Sequence, residues 1–185
     1  MDFQPDKFYH VYNQGNNRRR LFEPHTDEYI IFLFMVRRYI LPHVDILAYC
    51  LMPNHFHMMI KTDERCLFMK KSGKMKINPV SFGIRILLSS YTRMKNKRQG
   101  CTGSIFRQGT HARCLNSESE PSFVDKVKQD DLSNVFRYIH QNPVKAKLAE
   151  TPADWPYSSY REYAGIRNGT LVNKKIAFEF GFASI

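Results

Sequence analysis

The chain has 185 residues, of which 43% are hydrophobic and 14% aromatic, and it carries a formal net charge of +11. This size and composition are typical of one packed domain and exclude a disordered chain, and the longest apolar run, YIIFLFMV, is too short to cross a bilayer. The charge is concentrated, because residues 61 to 113 contain 13 Lys or Arg against 2 Asp or Glu, which is typical of a phosphate-binding surface or of a solvated one.

The first elements predicted along the chain are a strand, a helix and a hairpin. Alternating aromatic and polar residues at Lys7 to Gln14 predict a strand that ends at a Gly-Asn-Asn turn. Pro24 to Leu41 has helical length, with acidic residues at its start and basic residues at its end, as the helix dipole favours. The apolar runs His43 to Met52 and His55 to Lys61 are separated only by Pro53-Asn54, which indicates an antiparallel hairpin.

The rest of the chain predicts two further helices and one strand. Asn78-Pro79 begins a helix whose apolar residues recur at near-helical spacing as far as Met94. Leu132 to His140 predicts a short helix that Asn142-Pro143 ends. The remaining segments are predicted as a loop at Asp63 to Lys76, a strand at Ser104 to Cys114, and a polar loop or short helix at Glu118 to Asp131.

The order strand, helix, strand, strand, helix, strand predicts an α+β fold. It is the order of a ferredoxin-like sandwich, in which helices pack on one face of an antiparallel sheet. We expect a single domain over residues 1–165 and a C-terminal tail over residues 166–185. Many functions use this fold, so the function has to be argued from side chains.

The stretch LMPNHFHMMIK at Leu51 to Lys61 places two histidines in an apolar strand. Side chains two residues apart in a strand face the same side, so His55 and His57 project together while Phe56 faces the opposite side. Two such imidazoles can bind one divalent ion, although hydrogen-bonded surface histidines are the commoner outcome for this pattern alone. A hard ion such as Mg²⁺ would also need a third protein ligand and oxygen from a substrate.

Tyr91, on the second predicted helix, is a candidate nucleophile. It precedes a basic run of sequence, TRMKNKR, in the part of the chain that holds the charge excess. A phenol can attack a phosphodiester when a metal polarises the phosphate and nearby cations offset the charge. The ordinary alternative is a core residue, because Tyr91 lies in the apolar stripe of its helix.

Five segments together resemble a known family. LMPNHFHMMIK is similar to the signature of the single-tyrosine HUH transposases, in which U is any hydrophobic residue, and most closely to their REP-associated tyrosine transposase branch. Four further segments agree in order, and the resemblance covers roughly residues 8 to 163. They are FYHVYNQGNNRRRLF, SSYTRMKNKRQGCTGSIFRQG, YIHQNPVKAKLAE and WPYSSYREY.

The resemblance implies an enzyme, a tyrosine transposase that binds a hairpin in single-stranded DNA. It implies cleavage beside the hairpin through a 5′-phosphotyrosine link, followed by rejoining through the reverse attack. On this pattern His55 and His57 hold Mg²⁺ or Mn²⁺, and Tyr91 is the nucleophile. The family's third metal ligand is a polar residue about one helical turn after the tyrosine. That position holds Lys95, which cannot bind a metal, so the next residue, Asn96, is the candidate ligand.

Basic residues in and near these segments are the candidate DNA contacts. For Arg18 to Arg20 a solvated turn is an equally open alternative, and for Arg107 a structural role is equally open. His111 could face the metal from the last strand or be an ordinary hydrogen-bonded histidine. The candidate contacts are Arg18, Arg19, Arg20, Arg93, Lys95, Lys97, Arg98 and Arg107.

A protein of the same fold that binds hairpin DNA without cleaving it is the alternative prediction. Both predictions include salt-dependent affinity for a hairpin with a single-stranded flank. Only the enzyme also requires a nucleophilic tyrosine and a divalent ion. The sequence is compatible with a monomer and with a homodimer. The four cysteines form no C-x-x-C pair and follow no export signal, which favours reduced thiols and a cytoplasmic location.

Overall fold

The computed structural model describes residues 2–72, 75–116 and 131–182. The prediction for Glu118 to Asp131 lies outside the described residues, except for Asp131 itself. No helix within these ranges is long and apolar enough to cross a bilayer. The strands are β1 (Phe8–Gln14), β2 (Asp45–Met52), β3 (His55–Lys61), β4 (Lys70–Ser72), β5 (Met75–Ile77) and β6 (His111–Cys114). The helices are α1 (Glu28–Tyr39), α2 (Pro79–Gln99), α3 (Asp131–Lys145), α4 (Tyr160–Tyr163) and α5 (Lys174–Glu179).

Four strands form one antiparallel sheet in the order β2-β3-β1-β6, and β4 and β5 form a separate small hairpin. The predicted hairpin of β2 and β3 is confirmed, with Met52 paired to His55 across the Pro53-Asn54 turn. In the β1–β3 pair, Tyr12 lies opposite His57 and Gln14 lies opposite His55. The two histidines therefore have polar and aromatic neighbours directly across the strand pair.

One face of the sheet packs against α1 and α2, as predicted. Phe56 is fully buried on this face, opposite the histidine side of β3. Helix α2 begins where predicted, since the Asn78 side chain accepts hydrogen bonds from the backbone N–H groups of Val80 and Ser81. The other core residues here include Val11 and Leu51 from the sheet, Phe32 and Val36 from α1, and Ile84, Leu87 and Tyr91 from α2.

The opposite face of the sheet is partly covered by α3 and α5. The predicted α+β sandwich with an antiparallel sheet is confirmed, but its helices lie on both faces rather than on one. In the described part of the segment predicted as a C-terminal tail, Leu171, Val172, Ala177 and Phe182 are buried. Buried residues on this side include Met59 from the sheet, Phe136 and Ile139 from α3, and Ala177 and Phe182 from the C-terminal segment.

Helix α3 extends past the proline at which its end was predicted. Pro143 lies inside α3, and the helix continues as the backbone N–H of Ala146 donates to the carbonyl of Asn142 at 2.9 Å. A proline has no backbone N–H, so α3 lacks the helical hydrogen bond that residue 143 would otherwise donate. Burial of Phe136 and Ile139 against the sheet compensates for that loss.

Candidate active site

His55 and His57 share a cavity on the sheet face that α3 partly covers. Their ring centroids are 5.0 Å apart, and the cavity has a volume of about 250 Å³. Burial lowers the pKa of both imidazoles, and for His57 the proximity of His10 and His55 lowers the pKa further, so both rings are uncharged at neutral pH. The other lining residues are Tyr12, Asn13, Gln14, Arg107, His111 and Tyr138.

Each histidine of the pair has a partner at Nδ1. His55 Nδ1 lies 2.7 Å from Asn54 Oδ1, and His57 Nδ1 lies 2.9 Å from His10 Nε2. Among the described residues, no group forms a hydrogen bond with the buried Nε2 of His57. A buried polar atom without a partner is costly, so this nitrogen is suited to a ligand that the protein itself does not supply.

The residues present fit a divalent ion held by two neutral imidazoles and by oxygen. The described ranges contain no group of three His, Cys, Asp or Glu side chains that could hold a metal. A side-chain amide oxygen could serve as a third protein donor, and phosphate oxygens would complete the coordination of a hard ion.

Tyr91, the predicted nucleophile, lies in the core on the other face of the sheet. Its side chain is 0% exposed, and its hydroxyl donates a 2.7 Å hydrogen bond to the carbonyl of Leu21. Burial raises the pKa of the Tyr91 phenol, and the charge of Glu28 raises it further. The structure does not bring Tyr91 to the histidines, and in this arrangement a DNA phosphate cannot reach its hydroxyl.

Tyr138 on α3 lies at the histidine pair, as does Tyr12 on β1, whose ring centroid is 5.8 Å from that of His57. The ring centroid of Tyr138 is 5.5 Å from that of His57, and the Tyr138 side chain is 40% exposed. Tyr138 lies within the predicted helix Leu132 to His140, but it was not among the predicted site residues. One signal was available: the position four residues after Tyr138 is Asn142, so this tyrosine has the polar residue one helical turn later that the resemblance implies.

Asn96, the predicted third ligand, is not brought to the histidines. It lies on α2, lines a different cavity, and donates from Nδ2 to the carbonyl of Gly103 at 2.8 Å. Asn142 is buried in α3, and its Nδ2 donates to the carbonyl of Tyr138 at 2.8 Å. This bond ties the Asn142 amide to the turn of helix that carries Tyr138.

Two of the predicted DNA contacts are engaged in ion pairs. Lys95 is 1% exposed, and its Nζ lies 2.8 Å from Glu28 Oε2 and 3.3 Å from Glu23 Oε1. This buried cation cannot contact DNA, so the assignment of Lys95 as a DNA contact is corrected. Arg98 is more exposed, but both of its terminal nitrogens bond to the carboxylate of Asp27.

The remaining predicted contacts are exposed. Arg107 lines the histidine cavity and also a neighbouring cavity of about 670 Å³, which Arg85 and Arg93 line from α2. The two cavities share Asn13 as well as Arg107, so they are adjacent on the surface. The other exposed predicted contacts are Arg18, Arg19, Arg20 and Lys97.

Comparisons with known proteins agree with the family resemblance. No protein-family model matches the chain. The chain is 32% identical over 120 residues to a Haemophilus influenzae protein that carries the name REP-associated tyrosine transposase. The alignment covers 61% of this chain and 57% of that relative, so the match spans little more than half of the relative's length. The predicted resemblance is thereby confirmed.

The fold is similar to that of a solved REP-associated tyrosine transposase bound to a REP hairpin. The TM-score is 0.61 at 16% sequence identity, and the match covers 94% of each chain. At this level of identity the likeness concerns the fold, and it confirms the predicted antiparallel α+β architecture.

Proposed function

We propose that this chain is a REP-associated tyrosine transposase, which binds a hairpin in single-stranded DNA and uses a divalent ion to cleave and rejoin the strand beside it. The observation that carries the proposal is the exposed phenol of Tyr138 in one cavity with His55 and His57. The named relative and the hairpin-bound structural neighbour support the choice of DNA as the substrate.

In this proposal Tyr138 is the nucleophile in place of Tyr91. The Tyr138 hydroxyl oxygen bonds to the scissile phosphorus and loses its proton, and the bond from phosphorus to the 3′ oxygen breaks. The products are a 5′-phosphotyrosine and a strand that ends in a 3′ hydroxyl. Attack by a 3′ hydroxyl on the phosphotyrosine reverses the step, so no external energy source is needed.

His55 and His57 are the residues that would hold Mg²⁺ or Mn²⁺, and Asn142 is the proposed third donor because it follows Tyr138 by one helical turn. When bound, a divalent ion supplies positive charge to the phosphate oxygens and to the leaving 3′ oxygen. The protein adds two cations of its own. Lys145 Nζ lies 5.3 Å from the centre of the Tyr138 ring, and Arg107 is an exposed residue of the same cavity.

The surface around Arg107 offers a path for the DNA strand. Arg107 lines both the histidine cavity and the cavity lined by Arg85 and Arg93, and the lining of the second cavity also includes hydroxyl and amide side chains. Basic groups interspersed with neutral donors are typical of contacts to a phosphate backbone. This surface would hold the strand that crosses the active site.

The test compares two tyrosine variants. The substrate is a labelled oligonucleotide that contains a palindromic repeat from the DNA flanking the gene, with single-stranded flanks, and it is incubated with the protein and Mn²⁺. We expect a denaturation-resistant protein–DNA adduct with wild type, none with Tyr138→Phe, and the wild-type yield per folded molecule with Tyr91→Phe. Loss of the adduct in Tyr91→Phe and its retention in Tyr138→Phe would restore Tyr91 as the nucleophile.

The same experiment separates cleavage from binding alone. A gel-shift titration with Tyr138→Phe should show hairpin affinity close to that of wild type, because the variant removes one hydroxyl and no positive charge. If wild type bound the hairpin tightly and gave no adduct in Mg²⁺ or Mn²⁺, the chain would be a hairpin-binding protein without cleavage activity.

A further inference from the structure

The contact between His10 and His57 determines which nitrogen of His57 can meet a ligand. His10 lies on β1, diagonal to His57 across the β1–β3 pair, and the two residues are 8% and 6% exposed. Their rings are stacked with centroids 5.0 Å apart, and His10 Nε2 lies 2.9 Å from His57 Nδ1. A hydrogen bond between two neutral imidazoles contains a single hydrogen atom, which belongs to one ring or to the other.

The two arrangements differ at the far side of the His57 ring. If His10 donates, His57 carries its hydrogen on Nε2, where it is buried without an acceptor among the described residues and cannot bind a metal. If His57 donates from Nδ1, its Nε2 has a lone pair instead. Histidines that bind metals almost always donate their other ring N–H to an acceptor, which fixes the tautomer and the ring orientation.

We propose that His10 is a positioning residue, which accepts the Nδ1–H of His57 and so presents the Nε2 lone pair of His57 to the metal. This inference rests on the proposed function. The neighbouring His55 has the same arrangement with an acceptor whose role is fixed, because the carboxamide oxygen of Asn54 can only accept from His55 Nδ1. The two histidines then have equivalent tautomers, and each is held by its own acceptor.

Replacement of His10 separates the hydrogen bond from simple packing. His10→Phe keeps an aromatic ring at this position but removes the acceptor, and we expect the affinity for Mn²⁺ to fall by about 10- to 100-fold. His10→Gln supplies an amide oxygen close to the position of Nε2, and we expect it to restore most of the affinity. Tyr91→Phe is the matched control, since it removes a buried hydrogen bond from the other face of the sheet. Free Mn²⁺ measured by electron paramagnetic resonance gives the dissociation constants.

Nitrogen NMR of the metal-free protein measures the tautomer directly. We expect His57 to be protonated on Nδ1 in wild type and in His10→Gln, and to shift toward protonation on Nε2 in His10→Phe. The role of His10 would be overturned, and the metal site left standing, by either of two results. The first is a wild-type His57 protonated on Nε2, and the second is a folded His10→Phe that binds Mn²⁺ as tightly as wild type. A wild-type protein that binds no Mn²⁺ with or without the hairpin would overturn the proposed metal site and this inference with it.

Discussion

Lys95 and Lys97 lie two residues apart on α2 in opposite environments. Lys95 is buried against Glu28, which is itself 3% exposed, whereas Lys97 faces solvent. Removing one member of a buried ion pair leaves the other charge without compensation. We expect Lys95→Met to lower the free energy of unfolding by about 3 to 5 kcal/mol, measured by urea denaturation. An unchanged urea midpoint in Lys95→Met would show that the buried ion pair contributes nothing in solution.

Lys97→Met is the matched control for stability. It is also the variant of the two in which weaker DNA binding is expected. Substitutions at exposed positions usually change stability by about 0.5 kcal/mol or less, so its unfolding should resemble that of wild type. If Lys97 contacts a phosphate, the slope of log affinity against log salt should fall by about 1 in Lys97→Met. The same slope in both proteins would assign Lys97 to the solvated surface.

The positions of the two tyrosines show which part of the site could be predicted from the sequence. Tyr91 continues the apolar stripe through Ile84 and Leu87, and that periodicity correctly indicates a core residue. Tyr138 lies off the buried stripe formed by Phe136 and Ile139, which is a signal for an exposed role. The spacing of charge and aromatic residues on a single helix does not reveal which face of the sheet the helix covers. The packing of α3 over the histidine side places Tyr138, and not Tyr91, at the candidate site.

At the scale of elements, α1 and α2 approach each other closely at Gly83. A Cβ atom added to Gly83 would collide with the carbonyl oxygen of Tyr39, where α1 ends. Alanine is the better helix former by about 1 kcal/mol, so Gly83→Ala would be stabilising in an unconstrained helix. We expect it instead to destabilise the protein by about 1 to 3 kcal/mol, because the two helices must move apart.

Ser89→Ala on the exposed side of α2 provides the comparison for that prediction. It raises helix propensity without a steric cost, so urea denaturation should show equal or slightly higher stability than wild type. If Gly83→Ala were as stable as Ser89→Ala, the close approach of the two helices would not exist in solution.

Short sequence patterns correctly predict where most helices and strands lie. The remaining differences arise from packing between distant parts of the chain. Asn78-Pro79 and the Pro53-Asn54 turn are short signals with direct structural causes, and both are in the predicted places. Pro143 is also a strong local signal, but burial of the neighbouring apolar residues continues α3 through it. The hairpin of β4 and β5 lies in the segment predicted as a loop, since its short charged strands have no apolar alternation.

At the scale of the whole molecule, the positive charge excess is less available to DNA than its count suggests. Three cations of the basic segment are paired with carboxylates. Lys95 pairs with Glu28, Arg98 with Asp27, and Arg65 with Asp45 and Asp63. The exposed cations that remain include Arg93 and Arg107, which line cavities that meet at the candidate active site. Of these two, Arg107 lines the same cavity as Tyr138 and is therefore an exposed cation at the candidate site itself.

The whole molecule should also lose stability in mild acid because three histidines are buried without charge. Burial lowers the pKa of His10 to about 4 and that of His140 to about 3, and it lowers the pKa of His57 as well. In the unfolded chain these groups titrate near about 6.5, so the unfolded state takes up protons first as the pH falls. Their contribution to stability is complete above about pH 6.5 and is lost as the pH falls toward the folded-state values.

The expected loss is roughly 2 kcal/mol per histidine between pH 7 and pH 5, measured by urea denaturation at each pH. Carboxylates contribute little in this window, because their ordinary pKa values lie near 4. His10→Gln should remove one histidine's share of this loss of stability, since glutamine does not titrate. His25→Asn should leave it unchanged, because His25 is exposed and its backbone φ of 58° is one that asparagine adopts readily. A flat stability profile between pH 7 and pH 5 would mean that these histidines gain protons in the folded protein, which would contradict their burial.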